Sequence, residues 1–392
     1  MKWMAEGLEK LTSDSLERTL LSCEPAPGRP GFTVRGERTL LDLSSNDYLG
    51  LSGHPAIVEA MRDALAVHGT GASASRLVTG SRSIGGQLEE AIADWQQSGA
   101  ALVFGNGYMA NVGVISALVG RGDAVFSDRL NHASIVDGIS LSLAEHARYR
   151  HNDMEHLRYL LSKHRAARRK LIVTDAVFSM DGEHALLDEV IQLKREFGAM
   201  LMVDEAHSGG VYGLKGEGLC HSLGLHQEVD VHMGTFSKAF GVYGAYVSGS
   251  SMLIRWLLNK ARTFVYSTAL PPVLLAGIAE ALRLVQQEGV RRERLAEASR
   301  LFRAALRDAG FQAGDGVSPI IPILVGDSAA ALRFSSALEE EGILGVAIRP
   351  PAVPAGTARI RFSLSASHTK EGLLGAVHGI TRAGRMVGAL GL

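Results

Sequence analysis

Lys238 sits in the segment Val229-Asp-Val-His-Met-Gly-Thr-Phe-Ser-Lys-Ala-Phe-Gly-Val-Tyr-Gly-Ala-Tyr-Val-Ser-Gly249, and no other Asp, Glu, Lys or Arg lies between Asp230 and Arg255. An ammonium held among apolar neighbours loses hydration, so its pKa falls and its amine becomes available as a nucleophile. Such a lysine suits Schiff-base formation with a carbonyl compound. On this window alone, a solvated lysine on a surface loop is the better explanation, and the decision rests on the rest of the chain.

Other stretches bring further chemistry. Met200-Leu-Met-Val-Asp-Glu-Ala-His207 reads as a buried strand ending in Asp204, with His207 three residues on. Asp-Glu-Ala-His is also a helicase ATPase signature, but that reading needs an upstream Gly-x-x-x-x-Gly-Lys-Ser/Thr phosphate loop. The chain has none. A metal site from Asp204, His207 and His132 is chemically conceivable, but it leaves Lys238 unexplained. Ala101-Leu-Val-Phe-Gly-Asn-Gly-Tyr-Met-Ala-Asn111 reads as strand, glycine turn and helix start. There the first amides, at Gly107 and Tyr108, would receive a phosphate with help from the helix dipole. A carbonyl-trapping lysine, a buried acid for a ring nitrogen and a phosphate-binding helix start together describe pyridoxal 5'-phosphate. No metal is expected.

The elements that must position these residues follow from periodicity. Short apolar runs at Ala101–Phe104, Ala124–Ser127, Leu171–Asp175, Met200–Asp204, Val229–Gly234 and Ala245–Ser248 alternate with helical patterns at Tyr108–Val119, Met154–His164 and Asp188–Phe197. That alternation predicts a mostly parallel sheet covered on both faces, with its ligand beyond the carboxyl ends of the strands. The motif residues fall at those ends. Residues 1–40 read as an amphipathic helix, a turn-rich stretch and a hairpin around Arg35. A helix from Pro55 to Val67 is capped near Gly69, and a second one carries Leu88, Ile92 and Trp95. Beyond the long helix around Leu274–Val285, a charged stretch leads into an α+β layer: strand Ile320–Val325, helix Ala329–Glu341, strand Arg359–Ser363 and a final helix. The division expected is an N-terminal segment 1–45, a large cofactor-binding domain 46–288 and a small C-terminal domain 289–392.

A chain of 392 residues, 46% hydrophobic and 21% charged, can bury a sizeable core. Forty Lys and Arg against forty-one Asp and Glu give a net charge of -1, which offers no electrostatic case for nucleic acid or a membrane surface. Two cysteines, Cys23 and Cys220, make no disulfide framework and fit a reducing compartment, so a cytoplasmic enzyme is expected. The first residues lack the apolar core of a signal peptide, and no apolar window reaches membrane-spanning length. The basic cluster Arg165–Lys170 reads as a solvated helix end or a contact for coenzyme A phosphates.

The ordered set Ser45-Asn-Asp-Tyr-Leu-Gly-Leu51, Ser75-Arg-Leu-Val-Thr-Gly80, Asn131-His-Ala-Ser134, Val177-Phe-Ser-Met-Asp-Gly182, Asp204-Glu-Ala-His207, Thr235-Phe-Ser-Lys238 and Tyr266-Ser-Thr268 resembles the α-oxoamine synthases. These are pyridoxal-phosphate enzymes of the aspartate-aminotransferase-like fold (fold type I). The resemblance spans roughly residues 40–370, and Ile348-Arg-Pro-Pro-Ala-Val-Pro-Ala-Gly-Thr-Ala-Arg-Ile-Arg361 resembles the branch that condenses L-alanine with a pimeloyl thioester.

The resemblance implies an α/β fold with a seven-stranded sheet in the large domain and a homodimer with shared active sites. Lys238 would be the Schiff-base lysine, Asp204 the partner of the pyridine nitrogen and His132 the residue stacked on the ring. Ser179 and His207 would lie near the phenolic oxygen. Gly107, Tyr108 and Thr235 would contact phosphate, with Thr268 supplied across the dimer. Arg361 would anchor the amino-acid carboxylate, and Asn46 would lie near the substrates. Ala352 stands where relatives often carry threonine, Asp175 where some carry glutamate, and Arg18 is the nearest match to an acyl-binding arginine. Glycine C-acetyltransferase is the alternative within the same mechanism.

Overall fold

The computed structural model describes residues 1–314 and 316–390. Seven short segments pair into one sheet: β1 (Ala100–Phe104), β2 (Ala124–Asp128), β3 (Glu145–Tyr149), β4 (Lys170–Asp175), β5 (Met200–Asp204), β6 (Val231–Thr235) and β7 (Ala245–Gly249). Their spatial order is β1-β7-β6-β5-β4-β2-β3. Neighbours from β6 through to β3 run parallel, whereas β7 is antiparallel to both β6 and β1. Strands buried on both faces are apolar along most of their length, which is why these runs stood out in the sequence. The exception is edge strand β3, Glu-His-Ala-Arg-Tyr, where only Ala147 and Tyr149 are buried. Its alternation lacks a continuous apolar run, and the sequence reading passed over it.

Leu102, Val125, Leu171, Val173, Met202, Val231 and Met233 form one apolar cluster with residues of the helices Gly107–Leu118 and Ala133–Ser142. The first helix buries Ala110, Val112, Val114, Ile115 and Leu118, so it is apolar around most of its circumference, as an interior helix must be. The two helices approach closely because Gly138 has no side chain; a Cβ there would lie 3.1 Å from the Asn111 carbonyl oxygen. Each fully buried aliphatic side chain in this layer contributes about 1.5–3 kcal/mol.

The chain divides into two structural units. The larger comprises Leu51–Phe178 and His184–Arg292, and contains the seven-stranded sheet. The other comprises Met1–Gly50, Ser179–Glu183 and Glu293–Leu392, so it draws on both ends of the sequence. Here Phe32–Arg35 and Arg38–Asp42 make the expected hairpin, with Gly36 at φ 61 in the turn. Ile343–Leu344 adds in parallel to Leu41 and Asp42. A second sheet places Ala358–Ser363 between Ile320–Gly326 and Ala347–Ile348. Helices Ser328–Glu340 and Lys370–Val387 start on Asp327 and Thr369, whose side chains accept from Ala330 N and Gly372 N. The N-terminal helix Lys2–Ser13 has no buried residue. Among the described residues, no helix is long and apolar enough to cross a membrane.

Candidate active site

The candidate residues fall into two sets, one in each unit. In the larger unit, β4 and β5 end side by side, with Asp175 and Asp204 as register partners. Both carboxylates are buried. Asp204 Oδ2 accepts from Asn111 Nδ2 at 2.8 Å, and Oδ1 accepts from Ala206 N at 2.9 Å. Asp175 Oδ2 accepts from the backbone N–H of His132 at 2.8 Å, tying the loop before Ala133–Ser142 to the end of β4. Asn131 reinforces that tie, donating to the Val173 carbonyl at 2.8 Å and accepting from Asp175 N at 3.2 Å. Burial, and then the nearby Asp204, push the Asp175 carboxyl well above the usual range. Two adjacent buried acids cannot both be charged cheaply, so the proton belongs on Asp175.

His132 caps its helix, and its Nδ1 lies 2.7 Å from Ser134 Oγ. Desolvation by its surroundings lowers its pKa, Asp204 opposes that, and Lys238 lowers it further. The residue as a whole remains exposed. His132, Asp175, Asp204 and Lys238 therefore share one electrostatic neighbourhood. His207 is buried beyond the end of β5.

Lys238 lies in the turn after β6, half-buried between the buried Phe236 and the buried Ala239 and Phe240. Its carbonyl accepts from Gly241 N at 2.9 Å. Gly241 adopts φ +67 and packs so closely that a Cβ would lie 2.3 Å from Ser52 N, so only glycine fits this turn. Thr235 Oγ1 donates to the Gly244 carbonyl at 2.9 Å and accepts from Ser237 N at 3.2 Å. β6 itself spans Val231–Thr235, two residues later at its start and one at its end than the Val229–Gly234 expected from apolar content.

Gly107 and Tyr108 open the helix Gly107–Leu118, with Asn106 as N-cap accepting from Met109 N at 2.9 Å. First-turn amides have no partner within the helix. A Cβ on Gly107 would sit 4.0 Å from Thr235 Cβ, so this helix start and the Thr235 turn are neighbours. The Tyr108 side chain points elsewhere, its hydroxyl bonded to Asp137. Thr268 is exposed and bridges to Ser75. Arg168 and Arg169, from the basic cluster, both pair with the buried Asp123.

In the other unit, Arg361 is buried in Ala358–Ser363. Its Nε donates to the Ser179 carbonyl, Nη1 to Ser363 Oγ at 3.3 Å, and Nη2 to Asn46 Oδ1 at 3.1 Å and Tyr48 OH at 3.4 Å. None of these partners is an acid, whereas Arg359 two residues away pairs with Asp181. Arg18 is exposed and near Arg349, whose pKa is lowered by burial and then by Arg18. Arg349 donates to the carbonyls of Ser15 and Glu17. Ala352 is exposed, in a turn closed onto the Arg349 carbonyl at 3.1 Å.

Sequence reasoning passed over Asn111, Ser134, Tyr48, Ser363 and Arg349. Asn111 had a faint signal: it stands one helical turn beyond Gly107, on a helix otherwise apolar. Its Nδ2 also donates to Ser134 Oγ at 2.9 Å, which links Asp204 to the His132 cap.

The chain matches the family model for aminotransferase class I and II over residues 38–380. A protein of Bacillus cereus (strain ATCC 10987 / NRS 248) named "Putative 8-amino-7-oxononanoate synthase" is 51% identical over 358 residues, covering 91% of each chain. Among solved structures, serine palmitoyltransferase from S. paucimobilis with a bound PLP–myriocin aldimine aligns with a TM-score of 0.94 at 31% identity, over 99% of this chain and 98% of that one. An 8-amino-7-oxononanoate synthase from Francisella tularensis aligns with a TM-score of 0.77 at 28% identity, over 88% of this chain and 98% of that one.

Proposed function

The chain belongs to the class I and II aminotransferase family and is a pyridoxal-phosphate enzyme of fold type I and of the transferase kind, and from that premise we propose that it is an 8-amino-7-oxononanoate synthase of biotin biosynthesis. It condenses L-alanine with a pimeloyl thioester and a proton to give 8-amino-7-oxononanoate, carbon dioxide and the free thiol carrier. The observation that carries this reading is Arg361, a buried guanidinium whose hydrogen-bond partners among the described residues are all neutral oxygens. A buried cation in that setting is completed by an anion, and the substrate carboxylate supplies one.

Several features support a fit to the cofactor. Asp204 is a buried carboxylate oriented by two donors. The amides at Gly107 and Tyr108 adjoin Thr235 at a helix start, where a phosphate is favoured. Lys238 lies in a glycine-shaped turn within the same electrostatic neighbourhood as His132. When bound, pyridoxal phosphate supplies an electron sink for the pair left on the amino acid's Cα.

The chain's own groups do the rest. Asp204 holds a proton at the ring nitrogen, and Asn111 keeps its carboxylate aimed. His132 would offer a flat ring face to the cofactor, and Ser179 and His207 would serve its phenolic oxygen. The Lys238 amine takes the Cα proton of alanine while Arg361, with Asn46, fixes the carboxylate. His132 and His207 donate to the oxyanion formed when the thioester carbonyl is attacked. The thiol then leaves with a proton, and carbon dioxide departs from the carboxylate that Arg361 had held. Arg18 and Ala352 lie toward the acyl chain. The enzyme works in the cytoplasm as a homodimer in which the partner's Thr268 reaches the phosphate; the exposure of this residue supports that role.

The test is a panel of L-alanine, glycine and L-serine against pimeloyl-CoA, pimeloyl-acyl carrier protein, acetyl-CoA and palmitoyl-CoA, following thiol release and identifying the product by mass. Alanine with a pimeloyl thioester is expected to dominate. Preference for glycine with acetyl-CoA, or for serine with palmitoyl-CoA, would overturn the assignment.

A further inference from the structure

In the larger unit, Glu205, Cys220, His221, His226 and His232 bring metal-binding donors together, and the proposed reaction uses none of them. Glu205, Cys220 and His232 are buried, and each offers a donor atom within 4.8 Å of the other two. Hydrogen bonds fix how those atoms are presented. Glu205 Oε1 accepts from Cys220 N at 2.9 Å and from Ser208 Oγ at 3.2 Å, which leaves Oε2 turned toward His232 Nδ1 at 3.4 Å. His232 Nε2 lies 2.9 Å from the His226 carbonyl oxygen. A carbonyl only accepts, so Nε2 carries the hydrogen, and in a neutral ring Nδ1 directs a lone pair at the Glu205 carboxylate. Such a pair is completed either by a proton on Nδ1 or by a metal ion between the two groups.

His221 repeats the arrangement: its Nε2 lies 3.2 Å from the Gln96 carbonyl, and its Nδ1 is buried with no hydrogen-bond partner. Imidazoles anchored through one nitrogen onto a backbone carbonyl, with the other nitrogen turned inward, are how proteins orient metal-binding histidines. Zinc–nitrogen bonds of about 2.0–2.1 Å at a tetrahedral angle hold two imidazole centroids about 5 Å apart. The His221 and His232 centroids are 5.9 Å apart. Completing the shell with His221 therefore requires its ring, stacked on His226 at 4.1 Å, to shift toward His232.

We propose that Glu205, Cys220 and His232, completed by His221, form a structural site for a zinc-type divalent ion. Thiolate and imidazole donors favour zinc or cobalt over magnesium or calcium. A groove of about 810 Å³, lined by Gln96, His226 and Trp256 among others, reaches His232. Binding replaces the thiol proton of Cys220, which leaves to solvent, with a metal–sulfur bond; no electron is transferred. A plain hydrogen-bonded cluster, with His232 protonated against Glu205, would bind no metal.

The experiment uses the full-length protein with its cofactor bound, carrying Cys23→Ser to remove the exposed thiol. After treatment with a chelator it is titrated with Zn²⁺ by calorimetry, and the zinc-loaded protein is examined by X-ray absorption. One ion per chain is expected, with a single sulfur ligand at about 2.3 Å and nitrogen or oxygen ligands completing the shell. Cys220→Ser should remove the sulfur, and His232→Gln should weaken binding while cofactor absorbance is retained, which confirms folding. Absence of stoichiometric binding, or a zinc shell without sulfur in the Cys23→Ser protein, overturns the proposal.

Discussion

If Arg361 anchors the amino-acid carboxylate, it should distinguish L-alanine from L-alaninamide, which lacks the negative charge. Its guanidinium is held in one orientation through Nε, Nη1 and Nη2, so its edge is set before substrate arrives. Hydrogen bonds to a charged partner are worth about 1.5–3 kcal/mol each, and a two-point contact about twice that. Removing it should weaken alanine binding by about 3 kcal/mol or more, a factor of about a hundred or more in Kd. The assay is the change in absorbance of the bound cofactor as amino acid is added without thioester, which reads binding apart from turnover. Wild type should favour alanine strongly over alaninamide, and Arg361→Gln should erase that preference. Arg361→Lys should fall between them, because it keeps charge and loses the planar fork. Comparing two ligands on one variant cancels general damage to the fold. An unchanged alanine-to-alaninamide ratio in Arg361→Gln would refute the anchor role.

Four further outcomes follow from the same structure. Borohydride reduction of the cofactor-bound protein should attach the pyridoxyl group to Lys238, and a label at Lys260 instead would remove Lys238 from its role. Asp204→Asn should retain cofactor yet lose nearly all thiol release with alanine and pimeloyl-CoA, so near-normal rates would contradict its place at the ring nitrogen. Ala352→Thr should narrow the range of acyl lengths accepted, by about tenfold at most, as one added hydrogen bond allows, and identical chain-length profiles would make the position neutral. Burial lowers the His368 pKa to about 4, with its ring nitrogens placed between Ser365 N and the Asp42 carbonyl. The unfolded chain therefore binds this proton more readily, and stability should fall by about 3 kcal/mol as pH drops from about 6.5 to 4. Denaturant titrations across that window should lose this slope in His368→Gln.

Much of the larger unit was legible because strands buried on both faces carry continuous apolar runs, as β1, β4, β5 and β7 do over most of their length. Lys238 stood out for a related reason: a charge in such surroundings needs a purpose. β3 escaped because this edge strand buries only Ala147 and Tyr149. The helix Ala133–Ser142 escaped because Gly138 and its serines look like loop, although the glycine is what lets that helix lie against Asn111 and Val112. Asn111 could not be read as the partner of Asp204 and Ser134, because those contacts join positions 93 and 23 residues apart in the chain. The neutral partners of Arg361 likewise come from three separate segments, Asn46–Tyr48, Ser179 and its own strand at Ser363.

The smaller unit carries a consequence for how the protein is made. Ile343–Leu344 completes the sheet begun at Phe32–Asp42, and Ser44 Oγ donates to the Leu344 carbonyl across a separation of 300 residues. A ribosome adding about 5–20 residues per second takes roughly 15–60 s to cover that interval. Throughout it, the Leu41 edge waits without the strand that will pair with it, while Leu51–Phe178 and the segments after it are already emerging. An unpaired edge invites wrong pairings. Slow synthesis, or a stall before residue 343, should therefore raise the fraction of chains captured by chaperones. A circular permutant that makes residues 320–390 before residues 24–50 should shorten the wait.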